Sequence, residues 1–89
     1  MKVLYSKAFS KDINKINHLP GVKRNLKDTL MQLKQASALA DINGCKKLQG
    51  YASYYRIRIG EYRLGIKVET AHIEIVRFLH RKEVYRRFP

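Results

Sequence analysis

The sequence predicts an α+β domain of order β-α-α-β-β-β, an N-terminal strand and helical hairpin packed on an antiparallel β-sheet. Three observations carry that reading. Two apolar stripes at helical spacing fill the first half, and three strand-like alternations fill the second. A Gly-Glu pair joins two of those alternations at hairpin distance. Residues 1–89 form one domain, because so short a chain has no room for a second core.

Lys2 to Tyr5 is short and β-prone and reads as the first strand. Ser6 stands as the N-cap of a helix carrying Phe9, Ile13 and Ile16 at spacings of four and three. Leu19-Pro20-Gly21 ends that helix, and Pro20 suits the opening turn of the next. There Val22, Leu26, Leu30 and Leu33 make the apolar stripe, with Lys23, Lys27 and Lys34 on the wet side. Residues 36–50 read as irregular, with turn formers at Asn43-Gly44 and Gly50 and with Leu39, Ile42 and Leu48 tucked against the core. In the run from Tyr54 to Ile59, Tyr55, Ile57 and Ile59 share one face and Tyr54, Arg56 and Arg58 the other. Tyr62 to Val68 alternates again, and His72 to Leu79 forms a third run. Its alternation breaks near Val76-Arg77-Phe78, which implies a strand covered on both faces or a bulge.

Charge is the unusual feature of the composition. Nineteen Lys and Arg against seven Asp and Glu give a net +12, which implies a polyanionic partner: nucleic acid, a ribonucleoprotein or an acidic protein. Seven of the eight arginines fall after residue 45, on or beside the predicted strands, whereas the helices use lysine. Arginine concentrated on a sheet points to bidentate recognition of phosphate. Cys45 is the only cysteine, so neither a disulfide framework nor a cysteine-based zinc site is available, and it reads as a small buried hydrophobe. No apolar run approaches a membrane span, and Met1-Lys2-Val3-Leu4-Tyr5 does not read as a signal peptide, so the expected compartment is the cytoplasm with no membrane partner.

A two-residue Gly60-Glu61 turn fixes the pairing on either side of it. Ile59 meets Tyr62, Arg58 meets Arg63, Ile57 meets Leu64 and Arg56 meets Gly65. Arg56, Arg58 and Arg63 then share a face, two of them directly opposite each other, which is destabilising unless something offsets the repulsion. Gly65 among them would leave a bare floor for a phosphodiester. The plain alternative is a solvated face on which Glu61, Lys67 and Glu69 pair with the arginines. Against it stands the basic run Arg77, His80, Arg81, Lys82, Tyr85, Arg86 and Arg87, which is expected to fold over the sheet. A positive groove with aromatic rings suits single-stranded nucleic acid. Lys46, Lys47 and Tyr54 are further candidate contacts to RNA or the ribosome, although exposed lysines are equally at home in solvent.

Three segments together resemble the RelE branch of the RelE/ParE toxin superfamily: Lys47-Leu48-Gln49-Gly50, Tyr54 through Gly65, and Leu79-His80-Arg81-Lys82-Glu83-Val84-Tyr85. The resemblance covers essentially the whole chain. It implies the toxin of a type II toxin–antitoxin pair, a ribosome-dependent endonuclease that cuts mRNA in the A site without metal or other cofactor. The attacking group in that family is the 2′-hydroxyl of the RNA. Family basic residues on the sheet match Arg56 and Arg58, the arginine after the hairpin matches Arg63, and the later arginine and tyrosine match Arg81 and Tyr85. Two family lysines are arginines here, and no glutamate stands where some members keep a base, so the general base is unassigned. The implied partners are the ribosome, mRNA and an acidic antitoxin, with the toxin monomeric alone and hetero-oligomeric with that antitoxin.

The chemistry also constrains the roles. In-line attack requires removal of the 2′-proton, stabilisation of the phosphorane and protonation of the departing 5′-oxygen. Arg56, Arg58 and Arg63 suit the second task, since preformed cations gain most where negative charge develops. Arginine is no conventional base. His80 is the expected general acid, with Arg81 as alternative donor, while Tyr85 stacks on a base or orients the nucleophile. His80 could instead be structural. Asp12, Asp28 and Asp41 are scattered, which fits chemistry without a metal. Two rival functions remain: a ParE-like inhibitor of DNA gyrase, and a non-catalytic nucleic-acid-binding domain.

Overall fold

The computed structural model describes residues 1–89, Met1 to Pro89. Strand β1 (Val3–Tyr5) leads into helix α1 (Lys7–Lys15) and helix α2 (Pro20–Gln35). Ser6 caps α1 as anticipated: its Oγ accepts from the Phe9 N–H at 3.0 Å and its hydroxyl donates to the Val76 carbonyl at 2.6 Å. The cap therefore also ties the helix to the sheet. Pro20 opens α2, and Leu26 and Leu33, seven residues apart, are buried on the same helical face.

The sheet has five strands in the order β1-β5-β4-β3-β2, with β2 (Cys45–Lys47), β3 (Tyr54–Ile59), β4 (Tyr62–Val68) and β5 (Ile73–His80). Two features differ from the expected arrangement. β1 runs parallel to β5, so the sheet is mixed, because alternation reports which face a side chain occupies and not strand direction. β2 forms inside the segment read as irregular, its three residues pairing with Tyr55, Arg56 and Ile57. The β3–β4 register matches the sequence arithmetic at all four pairs, from Ile59–Tyr62 to Arg56–Gly65. Gly60 makes the turn at φ +58°, a conformation L side chains rarely adopt.

The break in alternation on β5 is a bulge. Gly65 pairs with Arg77 and Ile66 with Ile75, so Val76 is the extra residue. The main core lies between the sheet and the α1–α2 hairpin and includes Phe9, Ile16, Leu26, Leu33, Ile57, Leu64, Ile66, Ile75 and Phe78. A second, smaller cluster is built from Leu79, Val84 and Phe88, with Leu48, Tyr54 and Val76 packed around them. It is organised by α3 (Val84–Arg87), a single turn with no counterpart in the expected order.

Candidate nucleic-acid interface

The hairpin aligns Arg56, Arg58 and Arg63 on one face, with Arg58 directly opposite Arg63. Backbone carbonyls hold two of these side chains. Arg63 Nη1 donates to the carbonyls of Gly60 and Tyr62, both at 2.8 Å, and Arg56 Nη1 donates to that of Gly44 at 3.2 Å. These acceptors are neutral, so the guanidinium groups are oriented without being neutralised. The ion pairs of the molecule are Lys67–Glu69, Arg77–Asp12 and Arg81–Glu61, and none involves Arg56, Arg58 or Arg63.

Repulsion within the cluster registers on Arg63. Desolvation pushes its guanidinium below the ordinary value, Arg56 and Arg58 push it further, and Arg81 adds to them while Tyr85 acts in the opposite sense. Arg81 stands at the tip of the same hairpin. Arg81 is brought there by its own N–H, which donates to the Glu61 carbonyl at 2.8 Å, and by an ion pair between its Nε and the Glu61 carboxylate. Tyr85 projects from α3 and is 64% exposed, whereas Val84 beside it is fully buried.

Three sequence expectations need correction. Gly65 is not an open floor: a Cβ there would lie 2.7 Å from two ring atoms of Phe88, so that ring already occupies the space above it. His80 is not among the arginines. It pairs in register with Tyr62 and its ring meets the Tyr62 ring edge-on at 5.5 Å, while Tyr62 stacks on core Phe78. The imidazole therefore lies on the α1 side of the sheet, in a recess it shares with Asp12, Lys15 and Glu83. Its Nδ1 accepts from the Lys82 N–H at 3.2 Å, which leaves Nε2 to carry the proton of the neutral ring. Arg77 does not reach the groove either, because both ends of its guanidinium are bonded to Asp12 of α1.

The other candidates are more scattered. Lys46 sits opposite Arg56 on the edge strand and Lys47 opposite Tyr55, both exposed. Tyr54 meets Phe88 edge-on at 5.5 Å and carries Lys67 Nζ 5.7 Å from its ring centre. Lys82, Arg86 and Arg87 are exposed around α3. Nowhere do three His, Cys, Asp or Glu side chains come together as a metal-binding group. The sequence reading missed Phe88 and the carbonyl of Gly44. The signal for Phe88 was present, since a glycine inside a strand marks close approach of another group.

Comparison with known proteins follows the same lines. The family model for the ParE toxin of the type II toxin-antitoxin system, parDE, matches residues 3–85. Toxin RelE3 of Methanocaldococcus jannaschii is 42% identical over 91 residues, spanning 100% of both chains. A chain of the RelB-RelE antitoxin-toxin complex from Methanococcus jannaschii superposes with a TM-score of 0.79 at 38% identity, covering 97% of this chain and 99% of that one. A chain of the E. coli DinJ-YafQ complex gives the same TM-score at 18% identity, with 94% and 97% covered, a likeness of fold alone.

Proposed function

This chain belongs to the RelE/ParE family of type II toxin–antitoxin toxins, and from that premise we propose that it is a ribosome-dependent mRNA endonuclease that arrests translation in the cytoplasm. The observation that carries this reading is the convergence of Arg56, Arg58 and Arg63 from two adjacent strands, Arg56 and Arg63 held by carbonyls and all three left without carboxylate partners. Such a cluster favours a group that gains negative charge during reaction.

In the proposed reaction the RNA 2′-hydroxyl gives its proton to water as its oxygen bonds to the adjacent phosphorus and the bond from phosphorus to the 5′-oxygen breaks. The products are a 2′,3′-cyclic phosphate and a 5′-hydroxyl. Arg56, Arg58 and Arg63 hold the phosphorane, and a phosphate among them offsets the mutual repulsion that adds to desolvation in lowering Arg63. Arg81, beside the cluster, hydrogen-bonds to the departing oxygen in place of His80 and stabilises its charge, and water supplies the proton. Tyr85, exposed on α3, stacks on a base of the bound strand. The net charge of +12 and the antitoxin-bound relative favour an acidic antitoxin as the protein partner.

Primer extension on mRNA in a translation reaction tests the reading. Cuts in the A site that fall by about 100-fold or more with Arg63→Ala, in a protein that stays folded, are expected from loss of one charge-stabilising donor. Equal cutting by the variant overturns it. The ParE description of the matching family model favours a second reading, inhibition of DNA gyrase, whose signature is trapped gyrase–DNA complexes with intact mRNA.

A further inference from the structure

We propose that Phe88 is a positioning residue for Tyr85: its ring, seated on the bare backbone of Gly65, holds α3 in the setting that presents Tyr85 beside Arg63. This rests on the nuclease reading above and extends it to how the site is assembled.

The seat is built to fit one ring. A Cβ on residue 65 would meet Phe88 Cδ1 and Cε1 at 2.7 Å and Cε2 at 2.8 Å, so only glycine admits it. Tyr54 closes one side edge-on, and Leu48, Val76 and Leu79 complete the cluster around Val84 and Phe88. Val84 and Phe88 are separated by one helical turn, and the Phe88 N–H donates to the Val84 carbonyl at 2.8 Å. Both are buried, while Tyr85, between them in sequence, is exposed. A helix of one turn has no stability of its own in water, so its position depends on what its buried residues grip. The grip point lies on β4, two residues beyond Arg63 along the same strand and on the same face. Arg63 and, through Phe88, the helix that carries Tyr85 are thereby referenced to one strand.

A purely structural role for Phe88 makes different predictions. The main core closes on the opposite side of the sheet, between strands and α1–α2, without Phe88. Loosening the seat should therefore displace Tyr85 and leave the principal unfolding transition in place.

The test combines cleavage with amide hydrogen exchange. Gly65→Ala is expected to lower mRNA cleavage about 10- to 100-fold, the scale of a small misplacement at a reacting centre. Tyr85→Ala should give a similar loss, and the double variant no further loss, because both remove the same placement. Phe88→Leu, with a smaller side chain, should restore part of the activity of Gly65→Ala. Exchange at residues 82–88 should accelerate in Gly65→Ala whether or not the protein cuts RNA. The proposal is overturned by wild-type cleavage in Gly65→Ala, by losses that multiply with Tyr85→Ala, or by unchanged exchange. Failure of the nuclease reading shows separately, as Arg63→Ala cutting like wild type.

Discussion

Arg77 and Asp12 form a two-pronged ion pair, Nε to Oδ2 at 2.8 Å and Nη2 to Oδ1 at 2.9 Å, with Asp12 only 2% exposed. The Phe78 N–H adds a third bond to Oδ2 at 2.9 Å, so one carboxylate of α1 satisfies two consecutive residues next to the β5 bulge. Removing it leaves a partly buried guanidinium and a buried N–H without partners. Asp12→Ala is therefore expected to destabilise the fold by about 3–5 kcal/mol. In a domain of this size that lowers the melting temperature by at least ~10 °C. Asp12→Asn keeps acceptors in place and should cost less. A thermal melt of both variants checks the order. The bond to Asp12 also raises the Arg77 guanidinium above its ordinary value. On the alkaline side its contribution is then lost only as pH rises through that raised value. The pair should add no pH dependence to the melt between neutral pH and pH 9.

His80 faces α1, and that orientation separates it from the chemistry assigned to Arg81. His80→Ala is expected to retain mRNA cleavage within about fivefold, whereas Arg81→Ala should lose about 100-fold if it serves the leaving oxygen. The pair is compared in one primer-extension series at fixed ribosome concentration. A large loss in His80→Ala with the melt unchanged would return the imidazole to the reaction.

These outcomes show how far the sequence could be read. The hairpin register was legible because a two-residue turn and strict alternation leave one pairing, so the opposition of Arg58 and Arg63 follows from counting. The break at Val76-Arg77-Phe78 was legible as a disturbance, and both of its readings hold: β5 is an internal strand with Phe78 in one core cluster and Leu79 in the other, and it carries the bulge. Its consequences were not. An extra residue on one strand changes which side chains share a face with the neighbouring strand, and this puts His80 beside Tyr62 instead of Arg63. The Arg77–Asp12 pair spans 65 positions, and nothing local to Asp12 marks it as buried. Phe88 was not singled out, because Gly65 inside a strand marks a close approach but local pattern cannot show which ring fills it.

Cys45 packs against the main core at the start of β2, beside the strand that carries Arg56. Burial raises its thiol above the ordinary value, and the Arg56 charge opposes that only in part. The neutral thiol is thus favoured by folding. The associated stability is complete below the unfolded value and is lost as pH rises through the higher folded one. Alkylation by iodoacetamide should be slower in the native protein than in denaturant at pH 8 and should accelerate only at higher pH. Arg56→Ala should slow it further, since the one charge favouring thiolate is gone. Faster alkylation of that variant, with an unchanged melt, would contradict the assigned causes.

The Arg81–Glu61 pair joins the hairpin tip to the turn after β5, with both side chains more than half exposed. An exposed pair of this kind contributes about 0–1 kcal/mol to stability, so Glu61→Gln should barely move the melt. Its effect on anions should be larger. Glu61 occupies a donor that a phosphate could use, and its charge also offsets part of the field of Arg63 and Arg81. Glu61→Gln is expected to tighten single-stranded RNA binding several-fold at low salt, with the advantage shrinking as salt rises. If Arg81 takes up one additional phosphate, the slope of log affinity against log salt steepens by ~0.7. Binding to a short RNA across a salt series measures both quantities. Weaker binding by Glu61→Gln would mean that the carboxylate serves to aim Arg81 and does not compete for it, and Glu61→Asp, which retains the charge on a shorter arm, would then fall between the two.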